Sequence, residues 1–206
     1  MTKTEQKSLL LKRNLVLEAR EEPTPEDESR AITWMPRGME LLDWLGIYSQ
    51  FHKKGVFRGL HQFENQHGKL LEWSFDQLES PYQYSLQLPQ HDTEVIFEDA
   101  ARKTGMIEIR RGHKVIEATQ TKDNVIVKVQ NKKGLYEISA PWGVGCDGAK
   151  SIIKSRLAIE KTWRDYGINS AVADFEMDCH LSIDISNIVL DPQRPYGFFY
   201  FVPGRW

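Results

Sequence analysis

The chain has 206 residues, of which 40% are hydrophobic, enough for one large domain or for one domain and part of a second. A formal net charge of -2 gives no field that would attract nucleic acid or an anionic membrane. No segment approaches the roughly 20 apolar residues of a membrane span, and Cys146 and Cys179 fit no metal-ligand or disulfide spacing. We therefore expect a globular, cytoplasmic protein with no metal site and no nucleic-acid partner.

The first predicted strand ends in an acid. Leu15, Val16 and Leu17 form a short apolar run that stops at Glu18. An acid at the end of such a strand in a doubly wound sheet binds the hydroxyl groups of a nucleotide ribose. The alternative is that Glu18 only opens the acidic, proline-containing loop of residues 20–28, which we predict to be exposed.

Two arginines flank the start of the first predicted helix. Pro36 suits a first helical turn and Gly46 suits a helix end, with apolar residues at helical spacing between them. Arg30 and Arg37 lie on either side of this start. Two guanidinium groups there can pair with a pyrophosphate, and solvated surface arginines are the alternative.

A β-hairpin is predicted from the alternation of apolar and polar residues at 57–63 and 70–75, with its turn at 65–68. His61 and His67 lie in this hairpin, and the sequence offers no third metal ligand nearby. We therefore predict that both are surface or turn histidines.

The strongest helix signal follows the hairpin. Asp92 or Thr93 can cap this helix, and Gly105 can end it. Gln90 lies just before it, where a side-chain amide can reach a cofactor, although an ordinary loop residue is the alternative. Short strands are then predicted at 106–109, 113–121, 124–130 and 135–139, forming a β-meander.

An Asp-Gly turn follows the next apolar run. We predict that residues 141–146 form a buried strand in the same sheet as residues 15–17, and that a short helix follows at 152–157. Asp147 is then at the carboxyl end of its strand and faces the same crevice as Glu18. The alternative is an ordinary turn, because Asp-Gly is a common turn dipeptide.

The last part of the chain has strand-like patterns at residues 171–177, 182–190 and 197–202. Cys179 and His180 resemble a nucleophile with its base. No Asn or Asp partner can be assigned to them, and the acidic neighbours Glu176 and Asp178 disfavour a thiolate. We therefore predict no catalytic role for this pair.

Taken in order, the chain resembles the flavin-dependent aromatic hydroxylases, the group A FAD monooxygenases that include p-hydroxybenzoate and phenol hydroxylases. Four segments carry the resemblance: Leu15–Arg20; Ser29–Ala31 with Pro36–Leu42 and Leu45–Ile47; Leu88–Gln90 with Glu94; and Gly145–Ser151 with Lys154. The resemblance implies FAD-binding roles for Glu18 at the adenosine ribose, Arg30 beside the flavin, and Gln90 at the ribityl and phosphate region. It also places Asp147 in a fingerprint tied to FAD and pyridine-nucleotide binding, and it identifies no catalytic residue.

Two features of that family are not found. Residues 1–17 contain no glycine, whereas the family has a Gly-x-Gly-x-x-Gly loop before the ribose acid, and no Gly-Asp dipeptide follows Asp147. We therefore expect an internal piece of a monooxygenase that alone binds FAD weakly or not at all and shows no NAD(P)H-dependent hydroxylation, unless residues 7–14 take over the phosphate contacts. A sheet edge left open in this way also predicts self-association.

The sequence thus predicts an α/β protein of the FAD/NAD(P)-binding, p-hydroxybenzoate hydroxylase-like fold, truncated, with part of an antiparallel substrate-binding sheet. Residues 1–165 form a partial FAD-binding domain with a hairpin insertion at 56–76, and residues 166–206 begin a substrate-binding β-sheet domain. By resemblance, it is an FAD-dependent monooxygenase that uses NAD(P)H to hydroxylate an aromatic or polyketide-like small molecule. The alternatives are a non-hydroxylating flavoprotein, such as a reductase or an oxidative cyclase, and a non-enzymatic remnant that binds no flavin.

Overall fold

The computed structural model of the chain describes residues 14–28, 33–160, 162, 164, 167, 182–190 and 196–198. The chain divides into two compact units. The first unit comes from residues 1–23 and 101–170, and the second from residues 24–100 and 171–206. Each unit therefore contains segments that are distant in the sequence.

The described elements mix helices and strands, as predicted. None of the described helices is long and apolar enough to cross a membrane. In chain order the elements are β1 (Asn14–Glu18), β2 (Thr33–Trp34), α1 (Pro36–Trp44), α2 (Tyr48–Lys54), β3 (Val56–Arg58), β4 (Leu60–Asn65), β5 (Gly68–Ser74), β6 (Ser85–Gln87), α3 (Gln90–Lys103), β7 (Ile107–Arg111), β8 (Lys114–Gln120), β9 (Val125–Asn131), β10 (Gly134–Ala140), α4 (Ile152–Arg156), β11 (Ile185–Val189) and β12 (Tyr196–Phe198).

In the first unit, a parallel pair of strands brings two distant segments together. β1 pairs with β7 along its whole length, with Glu18 opposite Arg111 at the carboxyl ends. The strands predicted between residues 106 and 139 are confirmed, but only β8, β9 and β10 form an antiparallel meander. β7 pairs with β1 instead, so the meander is one strand shorter than predicted.

The core of the second unit is aromatic and aliphatic. Met39, Leu42, Phe51 and Leu86 are each at most 1% exposed. The ring of Trp34 meets Phe51 edge to face, with 5.1 Å between the ring centroids. α1, the helix predicted from its spacing, and α2, which was not predicted, therefore pack apolar side chains into the core with Leu86 of β6.

Two sheets build the rest of the second unit, in the strand orders β2-β6-β3 and β12-β11-β4-β5. The predicted hairpin is confirmed as β4 and β5, with Asn65 opposite Gly68. β11 pairs in parallel with β4, so one sheet joins the predicted insertion to the segment predicted to begin a second domain. The boundary at residues 165 and 166 stays a prediction.

The strand predicted at Pro141–Cys146 is wrong. This segment has no regular structure, and Trp142 and Val144 are 88% and 86% exposed. A strand exists only where a neighbour takes up its N–H and C=O groups, and none of the described strands pairs with these residues. The segment therefore does not share a sheet with residues 15–17, and Asp147 does not end a strand.

The prediction of a surface position for His61 is also wrong. Its side chain is buried and stacks on Trp73 at 4.1 Å between ring centroids. Its Nε2 lies 3.3 Å from the hydroxyl oxygen of Ser85. Cross-strand pairing of His61 with Trp73 causes this burial, whereas His67 lies exposed in the turn, as predicted.

We expect Gly55→Ala to destabilise the second unit by about 1–3 kcal/mol through overpacking. A Cβ at residue 55 would lie 2.6 Å from Leu86 Cδ2 and 3.0 Å from the carbonyl oxygen of Phe51. Gly59→Ala is the matched control, because a Cβ there meets nothing within 4 Å. Urea unfolding of both variants measures the difference, and equal midpoints would contradict the close packing.

We also expect His61 to make the stability of the protein depend on pH. Burial, and then the charge of Arg58, lower the pKa of His61 below its ordinary 6.5. The unfolded chain takes up a proton near that value while the folded protein does not, so stability falls as the pH drops below about 6.5.

The test compares unfolding midpoints between pH 7.5 and 5.5, values chosen to bracket the ordinary pKa of about 6.5. His61→Phe keeps a ring against Trp73 and should lose less stability over this interval than the wild type. His67→Gln, in the exposed turn, should keep the wild-type dependence. A wild-type slope in His61→Phe would show that other groups cause the loss.

Candidate functional site

The carboxyl ends of β1 and β7 form a candidate site in the first unit. The backbone continues the ladder beyond both strands, because His113 N–H donates to the carbonyl oxygen of Glu18 at 2.9 Å. Gly112 N–H donates to the carbonyl oxygen of Arg20, also at 2.9 Å. These bonds fix the two loops that follow the parallel strands against each other.

Glu18 lies at this edge, as predicted for a ribose-binding acid. Its Oε1 accepts the N–H of Arg20 at 2.7 Å, which fixes the direction of the carboxylate at the end of β1. The side chain is partly exposed, so the carboxylate is open to solvent and to a ligand. Such an anchored carboxylate can accept hydrogen bonds from hydroxyl groups.

An open cleft of about 410 Å³ adjoins these strand ends. Glu21 and Glu22, beyond β1, line one side, and Arg111 and His113 from the end of β7 line another. Lys132 in the turn between β9 and β10 completes it and pairs with Glu21 at 2.6 Å. The volume falls within the range of small-molecule sites, and the lining carries both signs of charge.

The start of α3, in the second unit, is a separate candidate region. The structure begins this helix at Gln90, two positions earlier than Asp92, so the prediction that Gln90 precedes the helix is wrong. The amide group of Gln90 donates from Nε2 to Glu94 Oε1 at 2.9 Å, one helical turn later. The side chain is therefore held along the first turn of the helix.

Three buried polar atoms near this region have no hydrogen-bond partner among the described residues. They are Gln90 Oε1, Thr93 Oγ1 and Trp34 Nε1. A buried polar atom without a partner costs about 1–3 kcal/mol, and native proteins rarely leave one without reason. Gln90 Oε1 is thus an acceptor that a hydroxyl group of a ligand would satisfy.

Both carboxylate oxygens of Asp147 accept hydrogen bonds from residues that follow it in the chain. Its Oδ1 accepts the hydroxyl of Ser151 at 2.6 Å, and its Oδ2 accepts the N–H groups of Ile152 and Ile153 at 2.7 and 3.2 Å. The Ser151 hydroxyl, followed by these backbone donors, lowers the pKa of Asp147. The carboxylate therefore caps α4, although its side chain stays exposed.

The structure describes one of the two arginines predicted to flank the start of the first helix. Arg30 lies outside the described residues. Arg37 is in α1 and pairs with Glu40 on the same helix, with 87% of its side chain exposed. Among the described residues, Arg37 thus fits the solvated alternative.

Residues 8–203 match the family model of the FAD binding domain. The chain belongs to this family. The FAD binding domain accounts for nearly all of the sequence, including β1, α3 and the turn at Asp147.

Monooxygenases are among the relatives of this FAD binding domain. A 12-dehydrotetracycline 5-monooxygenase/anhydrotetracycline 6-monooxygenase of Streptomyces rimosus is 33% identical over 185 residues, which is 90% of this chain and 35% of the relative. The crystal structure of p-nitrophenol 4-monooxygenase from Pseudomonas putida has a TM-score of 0.77 at 25% identity, covering 94% of this chain and 50% of that one. Aklavinone-11 hydroxylase in complex with FAD and aklavinone has a TM-score of 0.59 at 28% identity, covering 71% of this chain and 30% of that one.

These comparisons confirm the resemblance to aromatic hydroxylases and the p-hydroxybenzoate hydroxylase-like fold. The chain spans about a third of the curated relative (35%) and half of the nitrophenol monooxygenase (50%). The fold class predicted from the sequence is therefore correct, even though residues 141–146 are not a strand.

Each unit of this FAD binding domain has one residue whose chemistry suits a flavin nucleotide. Gln90 Oε1 is a buried acceptor that lacks a donor, and FAD carries hydroxyl groups on both its ribityl chain and its ribose. Glu18 presents an anchored carboxylate beside an open cleft. Both groups accept hydrogen bonds, which suits a polyhydroxylated ligand.

Sequence reasoning missed the role of Glu94. Both of its carboxylate oxygens bond to Thr24, 70 positions away, and one of them also bonds to Gln90. The spacing of Gln90 and Glu94 on one helical face is readable from the sequence. The contact with Thr24 is not, because it joins a loop to a helix.

We expect Asp147→Ala to unwind α4 at a cost of about 1 kcal/mol, the usual value of a lost helix cap. The carboxylate accepts the free N–H groups of Ile152 and Ile153. Hydrogen exchange at these two amides measures the effect, which should be faster exchange. Asp123→Ala, in an exposed turn, is the control, and unchanged protection in Asp147→Ala would contradict the capping role.

Proposed function

We propose that this chain is part of an FAD-dependent monooxygenase that uses NAD(P)H to hydroxylate an aromatic or polyketide-like small molecule. The observation that carries the proposal is the buried, partnerless acceptor Gln90 Oε1 at the start of α3, in a chain that belongs to an FAD binding domain family. Relatives named as tetracycline and nitrophenol monooxygenases support the aromatic substrate class.

The four predicted residues have distinct proposed roles. Glu18 accepts hydroxyl hydrogens of the adenosine ribose, and Gln90 accepts a hydroxyl hydrogen through Oε1. Arg30 is proposed to lie beside the flavin, on the strength of the family resemblance alone. Asp147 acts on the cofactor indirectly, by ordering the turn before α4 with both of its oxygens.

FAD, when bound, supplies the redox chemistry by taking electrons from NAD(P)H and activating dioxygen. The residues of this chain bind and orient the cofactor. Neither Glu18 nor Gln90 is assigned a proton transfer, because both are placed as acceptors towards hydroxyl groups. This agrees with the sequence, which offers no acid–base pair.

A cytoplasmic location and self-association are also proposed. Cys146 is an exposed free thiol, which suits a reducing compartment. Trp44 and Trp142 are 86% and 88% exposed, and apolar side chains on this scale favour contact with another protein surface.

We expect the 206-residue chain to bind FAD weakly but saturably, and Glu18→Ala to lower this affinity at least about tenfold, the value of one hydrogen bond to a charged group. The change in flavin fluorescence when FAD is titrated with each protein measures the affinities of the wild-type chain and of Glu18→Ala. Glu137→Ala is the matched control, since Glu137 is exposed on β10 of the same unit.

This experiment distinguishes an error in the role of Glu18 from an error in the proposed function. Wild-type affinity in Glu18→Ala would show that the ribose role is wrong while FAD binding stands. A wild-type chain that never saturates with FAD would contradict the proposed function of this chain itself.

A further inference from the structure

A hydrogen-bond network centred on Glu94 surrounds the buried acceptor at the start of α3. Glu94 Oε2 accepts the N–H of Thr24 at 2.9 Å. Its Oε1 accepts the hydroxyl of Thr24 at 2.6 Å and the amide Nε2 of Gln90 at 2.9 Å. Thr24 is 3% exposed, whereas Gln90 and Glu94 are half-buried.

The chemistry of a carboxylate determines which way the Gln90 amide faces. An ionised carboxylate only accepts hydrogen bonds, whereas an amide carries a donor group on one side and an acceptor on the other. The NH₂ group of Gln90 must therefore face Glu94, because the reversed amide would set two oxygens against each other. Oε1 then points away from Glu94, and there it is buried without a partner.

We propose that Glu94 is a positioning residue that fixes the orientation of the Gln90 amide, so that the site presents an acceptor, and only an acceptor, to a hydroxyl group of the cofactor. The inference rests on the proposed function, because it assigns the ligand of Gln90 to FAD. It goes beyond that function by giving a second residue, which contacts no ligand itself, control over what the site can recognise.

The same carboxylate anchors the loop around Thr24, so a purely structural role for Glu94 is the competing explanation. The two explanations differ in how the effects of substitutions combine. If Glu94 acts through Gln90, removing Glu94 does nothing further once the Gln90 amide is gone. If Glu94 acts only by holding the loop, the two losses in the free energy of FAD binding add.

The first experiment is a double-mutant cycle on FAD affinity. Glu94→Gln lets the Gln90 amide reverse, and Gln90→Ala removes it, so each variant should lose about tenfold in affinity. The double variant should also lose about tenfold, whereas additive effects would give about a hundredfold loss and overturn the proposal. Asp99→Asn is the matched control, an exposed acid on the same helix, and should bind as the wild type does.

Titrations with FMN and with ADP show which half of the cofactor carries the hydroxyl group. The family resemblance places Gln90 at the ribityl region, so Gln90→Ala should weaken FMN and leave ADP unchanged. The reverse result would assign the hydroxyl group to the adenosine side and would overturn the ribityl assignment.

The second experiment measures hydrogen exchange at the Gln90 side-chain amide, without a ligand and without a substitution of Glu94. In the ¹⁵N spectrum of the wild-type chain, the signals absent from Gln90→Ala identify the Gln90 amide. Its NH₂ protons should exchange with water at least about tenfold more slowly than those of exposed Gln77, because opening a hydrogen bond must precede exchange. Exchange as fast as that of Gln77 would show that Glu94 does not hold the amide.

This measurement keeps the two proposals apart. A protected Gln90 amide in a chain that fails to bind FAD would support the orientation by Glu94 and contradict the proposed function. An unprotected Gln90 amide in a chain that binds FAD would support the proposed function and contradict the orientation by Glu94.

Discussion

The parallel pairing of β1 with β7 is the constraint on which the first unit depends. Parallel strands cannot be joined by a tight turn and need a long crossover. Here the crossover includes residues 24–100, which form most of the second unit. The pairing sets Glu18 opposite Arg111 and lets the loops beyond them bond through Gly112 and His113. The cleft beside Glu18 is therefore a product of backbone hydrogen bonds between segments some ninety positions apart.

The second unit reaches a polar site by a different route. Its core is apolar and aromatic, and the start of α3 adds a small, partly buried network of Thr24, Gln90 and Glu94. Burying a carboxylate is costly unless hydrogen bonds replace the lost water. Thr24 supplies two such bonds and Gln90 one. Gln90 Oε1 has no partner among the described residues, so it is the point at which we propose that a ligand completes the network.

Local signals predicted a large part of this structure. The start of α1 at Pro36, the end of α3 before Gly105 and the hairpin turn at Gln66 and His67 follow from backbone preferences that neighbouring residues determine. Four β strands between residues 107 and 140 were likewise readable from alternation. Glu18 was predicted at a strand end for the same reason, because the apolar run before it stops there.

Apart from the start of α3, which is a local error of two positions, the errors concern partners on other elements. The run at 141–146 has the composition of a strand, but only a neighbouring strand can make it one. His61 is buried because β5 sets Trp73 beside it, and β6 supplies the hydroxyl of Ser85. The role of Glu94 depends on Thr24 in a loop of the same unit. Periodicity reports which face of an element is apolar, but it does not report what covers that face.

Glu18 and Asp147 show how this difference decides which carboxylate stays available. Both acids follow apolar runs, and both were predicted to lie at the carboxyl end of a strand. Pairing with β7 fixes the end of β1, so Glu18 needs only one local bond, to the N–H of Arg20, and its carboxylate stays available. The run before Asp147 has no pairing strand among the described residues, and both oxygens of Asp147 are used to start α4. The carboxylate at the end of a paired strand is therefore left open to a ligand, which is the basis of the ribose role proposed for Glu18, whereas the carboxylate of Asp147 orders the turn before α4.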